Sequence, residues 1–342
     1  MGTRSPGVPV ARSGSPYGSD EAGLICAYRF AHDVEPVEVC ADAILASLGK
    51  GSGFHWLHFN LANGAATKWM ERHLDLPEAF WDALEEGTRS TRVEHASGAL
   101  VAVLNDARYD LVDDASDISP LWLCVRPQGV VSARLRPLRA IERLRTSVRS
   151  GETFRSPAEL LSHLLRDQAD VLVQIVRRAA EGVDRVEDDL LAQRTRTSRA
   201  RLGGTRRVLV RLQRLLAPEP AALFRLLNRP PVWMDEADQQ DLRLSAEEFA
   251  EALADAQALA ERVKLLQEEL AAHVNEASSR VLLMLTVVTV LALPVNLTAG
   301  LMGMNVGGVP LAQEEHGFWV VAVLLLGVTG LLGVWASRRL RG

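Results

Sequence analysis

Hydrophobic and polar positions divide the chain at about residue 280. Up to that point short apolar runs alternate with charged segments, whereas residues 281–313 form a run of 33 without a charge, and a second apolar stretch follows at 317–337. About 20 apolar residues in a helix cross a hydrocarbon core of roughly 30 Å. The pattern therefore predicts two transmembrane helices, at 281–301 and 317–337, joined by a loop at 302–316.

The first part of the chain mixes strand and helix patterns. Four short runs are rich in β-branched and aromatic residues and are bounded by Gly, Asp or Pro: 24–30, 53–61, 98–110 and 118–127. Residues 66–74 and 76–87 between them have helical spacing. This alternation predicts an α/β domain over residues 22–150.

Long helices follow this domain, within a cytosolic helical segment at 156–244. Ser156-Pro157-Ala158-Glu159 is a helix start, and the pattern predicts helices to about 196 and over 204–216. Ser245-Ala246-Glu247-Glu248 resembles a capping box, and apolar residues then recur every three or four positions into the first span. One helix over 245–301 would be roughly 85 Å long, which implies a stalk or an oligomeric bundle.

Charge and cysteine content indicate the location of the chain. The tail at 1–21 is rich in Gly, Pro and Ser, predicts disorder and lacks the apolar core of a signal peptide. Three widely spaced cysteines favour a reducing compartment. The basic C-terminus at 338–342 and Arg280 flank the spans, whereas the loop has no Lys or Arg, so both termini are expected in the cytosol.

Two neighbouring segments carry opposite charge. Residues 192–229 contain ten Arg and a single acid, Glu219, whereas residues 246–280 contain eight acids and three basic residues. Two interpretations are open: antiparallel helices that pair these charges, or a basic collar near the membrane surface or cation path. The chain has a pI of about 6.0 and shows no basic motif interleaved with aromatic residues, so we expect no nucleic-acid partner.

Motifs of catalysis are missing from the sequence. It contains no P-loop, no HExxH and no nucleophile elbow. His55 and His58 are three positions apart in a predicted strand, which places them on opposite faces where they cannot share a metal ion. We therefore expect neither an enzyme nor a resident cofactor.

The first span has a polar stripe. Residues at steps of three and four share one helix face, namely Thr286, Thr289, Leu293, Asn296, Gly300 and Gly303. Such a stripe is compatible with helix packing through small and hydroxyl residues, or with the wall of a pore. One stripe cannot enclose a pore, so the second interpretation requires several copies of the chain.

At the outer end of this span stands Gly303-Met304-Asn305, followed by the loop and the second span. With the long preceding helix, WLHFNL at 56–61 and the basic C-terminus, this arrangement resembles the CorA-type divalent-metal transporter family. The continuation at 305–310, Met302 and Leu215-Leu216-Ala217-Pro218 resemble its zinc-transporting ZntB branch.

The resemblance implies an α/β/α sandwich in the cytosol, long helices, two C-terminal transmembrane helices and a homopentameric funnel. Asn305 would form a ring at the outer mouth that binds a hydrated cation, next to Met304, and Gly303 would permit the backbone turn. Further pore-wall residues would be oxygens of Asn296, Thr286 and Thr289 and constrictions at Leu282, Leu285 and Leu293. Glu314 and Glu315 would attract cations, while His316 is either a zinc ligand or an ordinary loop residue.

These expectations combine into one functional hypothesis. The chain would carry divalent metal cations, above all Zn²⁺, across the cytoplasmic (inner) membrane as a homopentamer embedded in lipid. A Mg²⁺, Co²⁺ or Ni²⁺ channel of the same family is the alternative within transport. A membrane-tethered sensor or scaffold is the alternative from another class, and it needs neither the polar stripe nor the triplet.

Overall fold

The computed structural model describes residues 18–31, 34–40, 44, 53–87, 91–108, 118–192, 198–304 and 316–341. It contains two compact units, Met1–Leu266 and Gln267–Gly342. Residues 1–17 of the predicted tail lie outside the described part. At the end of that tail, Oδ1 of Asp20 accepts hydrogen bonds from the Ala22 and Leu24 amides, at 3.0 and 2.8 Å.

The first unit contains a seven-stranded sheet. Its strands are β1 (Leu24–Ala31), β2 (Val34–Glu38), β3 (Phe54–Asn60), β4 (Arg92–Ala96), β5 (Ala99–Ala107), β6 (Ile118–Arg126) and β7 (Gly129–Arg134), in the spatial order β2-β1-β3-β7-β6-β5-β4. β3 and β7 pair in parallel and the other neighbours are antiparallel. All nine residues of β5 are buried, as expected where helices cover both faces of a sheet.

Helices cover both faces. One face packs against α1 (Ala65–His73) and α2 (Glu78–Glu85), through residues such as Met70 and Phe80. The other packs against α3 (Arg139–Arg149), α4 (Pro157–Leu191), α6 (Pro218–Leu227) and the start of α7 (Glu236–Met302). The α/β/α sandwich implied by the resemblance is confirmed.

The sequence pattern located four strands and missed three. The predicted strands correspond to β1, β3, β5 and β6. β2 and β4 are five-residue strands at the sheet edges, and β7 follows β6 after a two-residue turn. α3 was also missed because its many arginines obscure a helical apolar spacing, which Ile141, Leu144 and Val148 nevertheless supply.

The long helices pack on one another within the first unit. Ser156 caps α4 as predicted, since its hydroxyl accepts a hydrogen bond from the Glu159 amide at 3.0 Å. α4, α5 (Ser198–Leu216) and α7 meet in an apolar cluster around Phe249, whose side chain is fully buried. The sheet and these helices belong to the same compact unit.

α7 begins nine residues before the predicted cap. Oδ1 of Asp235 accepts a hydrogen bond from the Asp238 amide at 2.7 Å and serves as the cap. The hydroxyl of Ser245 instead donates to the Asp241 carbonyl within the helix, at 2.8 Å. The prediction of a helix start at Ser245 is therefore wrong, because a Ser-x-x-Glu spacing also occurs inside helices, where the hydroxyl bonds backward.

Acids of α4 take part in the ion pairs between the long helices. Arg262 of α7 binds Asp184 at 2.8 Å and also binds Glu187, and Arg201 of α5 lies 3.7 Å from Asp189. α4 thus supplies carboxylates to both neighbours. Neither interpretation of the opposite charge in 192–229 and 246–280 had included these acids.

A buried polar network lies on the α3 side of the sheet. Nε of Arg134 donates to Nε2 of His58 at 3.1 Å, and Nδ1 of His58 lies 2.8 Å from the Ser132 hydroxyl. Burial and two neighbouring guanidinium groups hold the pKa of His58 well below its usual value. His58 is therefore a neutral structural residue of the core.

The second unit contains the remainder of α7 and α8 (Gly317–Arg341). Both helices are long and apolar enough to cross a membrane, by length and composition. The predicted spans 281–301 and 317–337 lie within them. Two apolar C-terminal helices are confirmed.

Candidate functional site

The polar stripe lies on one face of a continuous helix. Residues 282–300 all belong to α7. At 100° per residue, the predicted wall positions fall within an arc of about 100° over a rise of roughly 27 Å. These positions are Leu282, Leu285, Thr286, Thr289, Leu293, Asn296 and Gly300.

The threonine hydroxyls of the stripe are oriented by their own helix. Oγ1 of Thr286 donates to the Leu282 carbonyl and Oγ1 of Thr289 to the Leu285 carbonyl, each at 2.9 Å. A hydroxyl that donates to the backbone keeps its lone pairs as acceptors. Both oxygens can therefore accept hydrogen bonds from the water shell of a cation.

Thr298 lies on the opposite side of the helix. Its position is about 170° from the centre of the stripe, and its hydroxyl donates to the Pro294 carbonyl at 2.8 Å. Pro294 has no amide hydrogen and interrupts the helical hydrogen bonds at this turn. Thr298 makes the same type of hydrogen bond within the helix as Thr286 and Thr289 but on the other side, so it is the natural control for the threonines of the stripe.

The helix ends at the glycine of the triplet. α7 stops at Met302, and the Gly303 amide still donates to the Ala299 carbonyl at 2.9 Å. A Cβ atom at Gly303 would lie 3.2 Å from that carbonyl oxygen, which is tight. Met304 is exposed, and Asn305 lies outside the described residues. The structure thus describes the wall of the predicted site up to Met304.

The predicted cation-attracting acids, Glu314 and Glu315, also lie outside the described residues. His316 is described and exposed, and its carbonyl accepts a hydrogen bond from the Val320 amide at 3.2 Å, at the start of α8. This contact defines a backbone role for His316. Its role as a zinc ligand stays a prediction.

In the single chain the striped side of the membrane-type part of α7 is exposed, whereas Val287, Leu291, Pro294 and Thr298 on the opposite side are half-buried. None of its most apolar window is buried, and large side chains such as Leu282, Leu285 and Leu293 are each more than 60% exposed. In water this surface would be unstable.

α8 carries a different surface. It is apolar over most of its length, and Trp319 and Trp335, near its two ends, are exposed. Tryptophan is enriched at the two interfaces of a bilayer, which are about one hydrocarbon thickness apart. α8 therefore has the surface of a lipid-facing helix.

The part of the chain that the structure describes contains no cluster of three or more His, Cys, Asp or Glu side chains placed to hold a metal ion. The polar side chains of the α7 stripe carry hydroxyl and carboxamide oxygens. A single chain offers them on one side alone.

Comparison with known proteins gives a consistent result. The model of the family described as "CorA-like Mg2+ transporter protein" matches residues 51–338. The divalent cation transporter CmaX of Pseudomonas aeruginosa is 30% identical over 291 residues, which cover 84% of this chain and 86% of that protein. The zinc transport protein ZntB of Pectobacterium atrosepticum is 23% identical over 283 residues, covering 83% and 86%.

Solved structures show the same relationship. The full-length CmaX structure superposes with a TM-score of 0.75 at 27% identity, covering 95% of this chain and 99% of that one. The complete CorA magnesium transporter of Methanocaldococcus jannaschii has the same TM-score at 17% identity, covering 92% and 97%. The latter likeness concerns the fold.

Proposed function

The chain belongs to the CorA-like Mg²⁺ transporter family, a family of divalent cation transporters, and we propose that it carries Zn²⁺ across the cytoplasmic membrane as a homopentamer. The observation that carries this proposal is the stripe on α7. It extends over the length of a membrane span, combines hydroxyl and carboxamide oxygens with leucines, and is exposed in the single chain. Five copies arranged with their stripes inward would enclose a pore.

The pore works by weak contacts with a hydrated ion. Oxygens of Thr286, Thr289 and Asn296 accept hydrogen bonds from the water shell, and no carboxylate in residues 281–313 holds the ion tightly. Leucines at 282, 285 and 293 form apolar constrictions between the polar levels. Binding that is weak at each level allows an ion to enter and to leave.

Asn305 forms the outer ring in this proposal. A carboxamide oxygen accepts hydrogen bonds from the ion's water without the electrostatic grip of a carboxylate. The end of α7 at Met302 supports it, because the helix terminates shortly before Asn305. Glu314 and Glu315 raise the local cation concentration, ten carboxylates in a pentamer.

The choice of Zn²⁺ rests on the residues around the triplet and on relatives. Met302 and the continuation at 305–310 resemble the zinc branch, and ZntB proteins are among the relatives. The family description names Mg²⁺, and the name of CmaX specifies no metal. Mg²⁺ transport is therefore the second candidate, and a flux assay separates the two.

The orientation follows from charge. Arg280 precedes the first span and Arg338 follows the second, whereas the loop at 302–316 contains Glu314 and Glu315 and no Lys or Arg. We place both termini in the cytosol of a cell whose inner membrane holds the protein. Fluorescence of a tag fused to either terminus, quenched from one side alone, tests this topology.

The function is tested by metal flux into liposomes that contain the purified full-length protein. Zn²⁺, Mg²⁺, Co²⁺ and Ni²⁺ are supplied in turn, with protein-free liposomes as the blank. We expect Zn²⁺ to enter fastest. Faster Mg²⁺ entry would overturn the metal assignment, and no entry of any divalent ion would leave the tethered sensor as the better hypothesis.

The outer ring is tested by Asn305→Ala in the same assay. We expect loss of at least tenfold in Zn²⁺ flux, about the effect of losing 1.4 kcal/mol of ion binding. Asn228→Ala is the matched control, since Asn228 is an exposed asparagine at the end of α6. Unchanged flux and unchanged ion preference in Asn305→Ala would remove Asn305 from the site.

A further inference from the structure

Glu219 is the single acid of the arginine-rich segment, and the fold buries it completely. It follows Pro218 at the first turn of α6, where an acid usually remains in solvent near the helix N-terminus. Its side chain is instead turned toward the sheet and has no exposed surface. A fully buried carboxyl group requires partners or a proton.

The partners of Glu219 are uncharged. Oε1 of Glu219 accepts hydrogen bonds from the backbone amide of Asn105 at 2.5 Å and from the Thr91 hydroxyl at 3.3 Å. Oε2 accepts one from Nε2 of Gln168 at 2.8 Å. Gln168 also donates to the Asn105 carbonyl. One carboxyl group therefore joins α6 to β5, to α4 and to the segment before β4.

The charged group that acts on Glu219 is another acid. Asp106 of β5 is 3% exposed, and its carboxylate accepts hydrogen bonds from the Ala107 and Ala140 amides at 2.7 and 2.8 Å. Arg139 of α3 is the cation that faces Asp106. From α5 the neighbouring group is neutral, the Leu215 carbonyl, which accepts from the side chain of Asn105.

Both acids have raised pKa values, and burial is the main cause. Burial raises the pKa of Glu219 to about 8, with a further contribution from the charge of Asp106. Burial raises the pKa of Asp106 to about 7, although backbone amides oppose the shift. The two acids influence each other, so their titrations are steps of the pair.

We propose that the Glu219 carboxyl group is a cytosolic proton-binding site that controls how firmly the α5–α6 junction packs against the sheet. When protonated, the group is neutral and can donate to the Thr91 hydroxyl oxygen. When it loses the proton, an anion that has hydrogen-bond donors but no salt-bridge partner among the described residues remains in the interior, beside the carboxylate of Asp106. Opening of the junction then exposes that anion to water.

The junction is in contact with the helix that continues to the proposed pore. Leu212 and Leu216, at the end of α5, belong to the same apolar cluster as Phe249 of α7. Loss of the Glu219 contacts therefore loosens one side of that cluster. The consequence for ion flux rests on the proposed function, whereas proton binding itself does not.

The direction of the pH effect follows from the raised pKa. Below about pH 4.5 the closed and the open state of the junction both hold the proton, so Glu219 adds no pH dependence to the packing. Between about pH 4.5 and 8 the open state releases the proton and the closed state keeps it, so closed packing weakens as pH rises. Above about pH 8 the effect levels off.

The proton site is tested by hydrogen exchange of residues 205–222 in the full-length protein, comparing wild type with Glu219→Gln at each pH. We expect the opening constant of wild type, divided by that of Glu219→Gln, to rise about tenfold per pH unit up to about pH 8 and then to level off. Glu219→Met also lacks a titrating group. A pH dependence that is missing from both variants is caused by loss of the proton-binding group rather than by a folding defect of one variant. A ratio that does not change with pH in either variant overturns the proposal.

Regulation is tested separately by flux in liposomes with the cytosolic-side pH varied from 6 to 9. We expect wild-type flux to change with pH up to about pH 8 and then to level off. The flux of Glu219→Gln should lack this change, and the control Glu236→Gln should behave as wild type. Glu236 is an exposed acid at the start of α7. Equal pH profiles in all three proteins overturn regulation, and absence of flux in all three contradicts the transport function while the exchange result still decides proton binding.

Discussion

The contact between α4 and α7 contains a buried ring and an ion pair, and the two should differ strongly in their contribution to stability. Phe249 is fully buried among residues of α4 and α5, whereas the Arg262 side chain, which binds Asp184 and Glu187, is 42% exposed. We consider Phe249→Ala and Arg262→Ala. The comparison shows which type of contact holds the helix against its neighbours.

The expected magnitudes follow from exposure. Truncation of a buried Phe to Ala costs about 3–5 kcal/mol, through lost burial and the cavity left behind. An exposed ion pair contributes about 0–1 kcal/mol, because water and salt screen it. In a unit of this size, 1 kcal/mol shifts the melting temperature by roughly 2–4 °C, so we expect losses of about 6–20 °C for Phe249→Ala and at most about 4 °C for Arg262→Ala.

The assay is thermal unfolding of the full-length protein in detergent, at low and high salt. Phe249→Leu serves as the graded control, and its loss should lie between wild type and Phe249→Ala. The small effect of Arg262→Ala should shrink further at high salt. If Arg262→Ala lowers the melting temperature as much as Phe249→Ala does, the ion pair holds the helix and the reasoning from burial is refuted.

Two further predictions concern the pore wall and the buried cations. Thr289→Val should reduce divalent-ion flux several-fold because it removes an acceptor from the stripe, whereas Thr298→Val, on the opposite side, should leave flux near wild type; equal effects would contradict the assignment of the pore face. Glu142→Gln should lower the free energy of unfolding by about 3–5 kcal/mol, because Glu142 pairs with the buried guanidinium groups of Arg134 and Arg145 at 3.4 and 2.6 Å. The exposed Glu152→Gln is its control in thermal unfolding, and a similarly small loss in both variants would show that Arg134 and Arg145 do not depend on Glu142.

The membrane part of the chain was predictable because its signal is local. A lipid environment requires about 20 apolar residues in succession, and the polar stripe of the first span follows directly from helical periodicity. The positions of Thr286, Thr289 and Asn296 on one face needed no information from distant residues. The same periodicity also separates Thr298 from the stripe, which the list of polar residues alone does not reveal.

The soluble part was predictable where burial on both faces produced long apolar strands, as in β5 and β6. Short edge strands such as β2 and β4 carry few buried residues, so their sequences resemble loops. The start of α7 was misplaced because Ser245 and Glu248 match a capping pattern that also occurs within helices. Which residue caps a helix depends on where the chain turns, and here Asp235 lies at that turn.

The sequence by itself determined the two apolar spans, the stripe, the sign of charge around the membrane and the family resemblance, since each depends on residues close together in the chain. The tertiary structure alone decided the environment of the charged residues. It buried Glu219 against Asn105 and Gln168, which are 114 and 51 positions away, and it joined Arg262 to α4. The interaction energy and the pKa of a charged group depend on its exposure to water and on its neighbours, and both are set by folding rather than by local sequence.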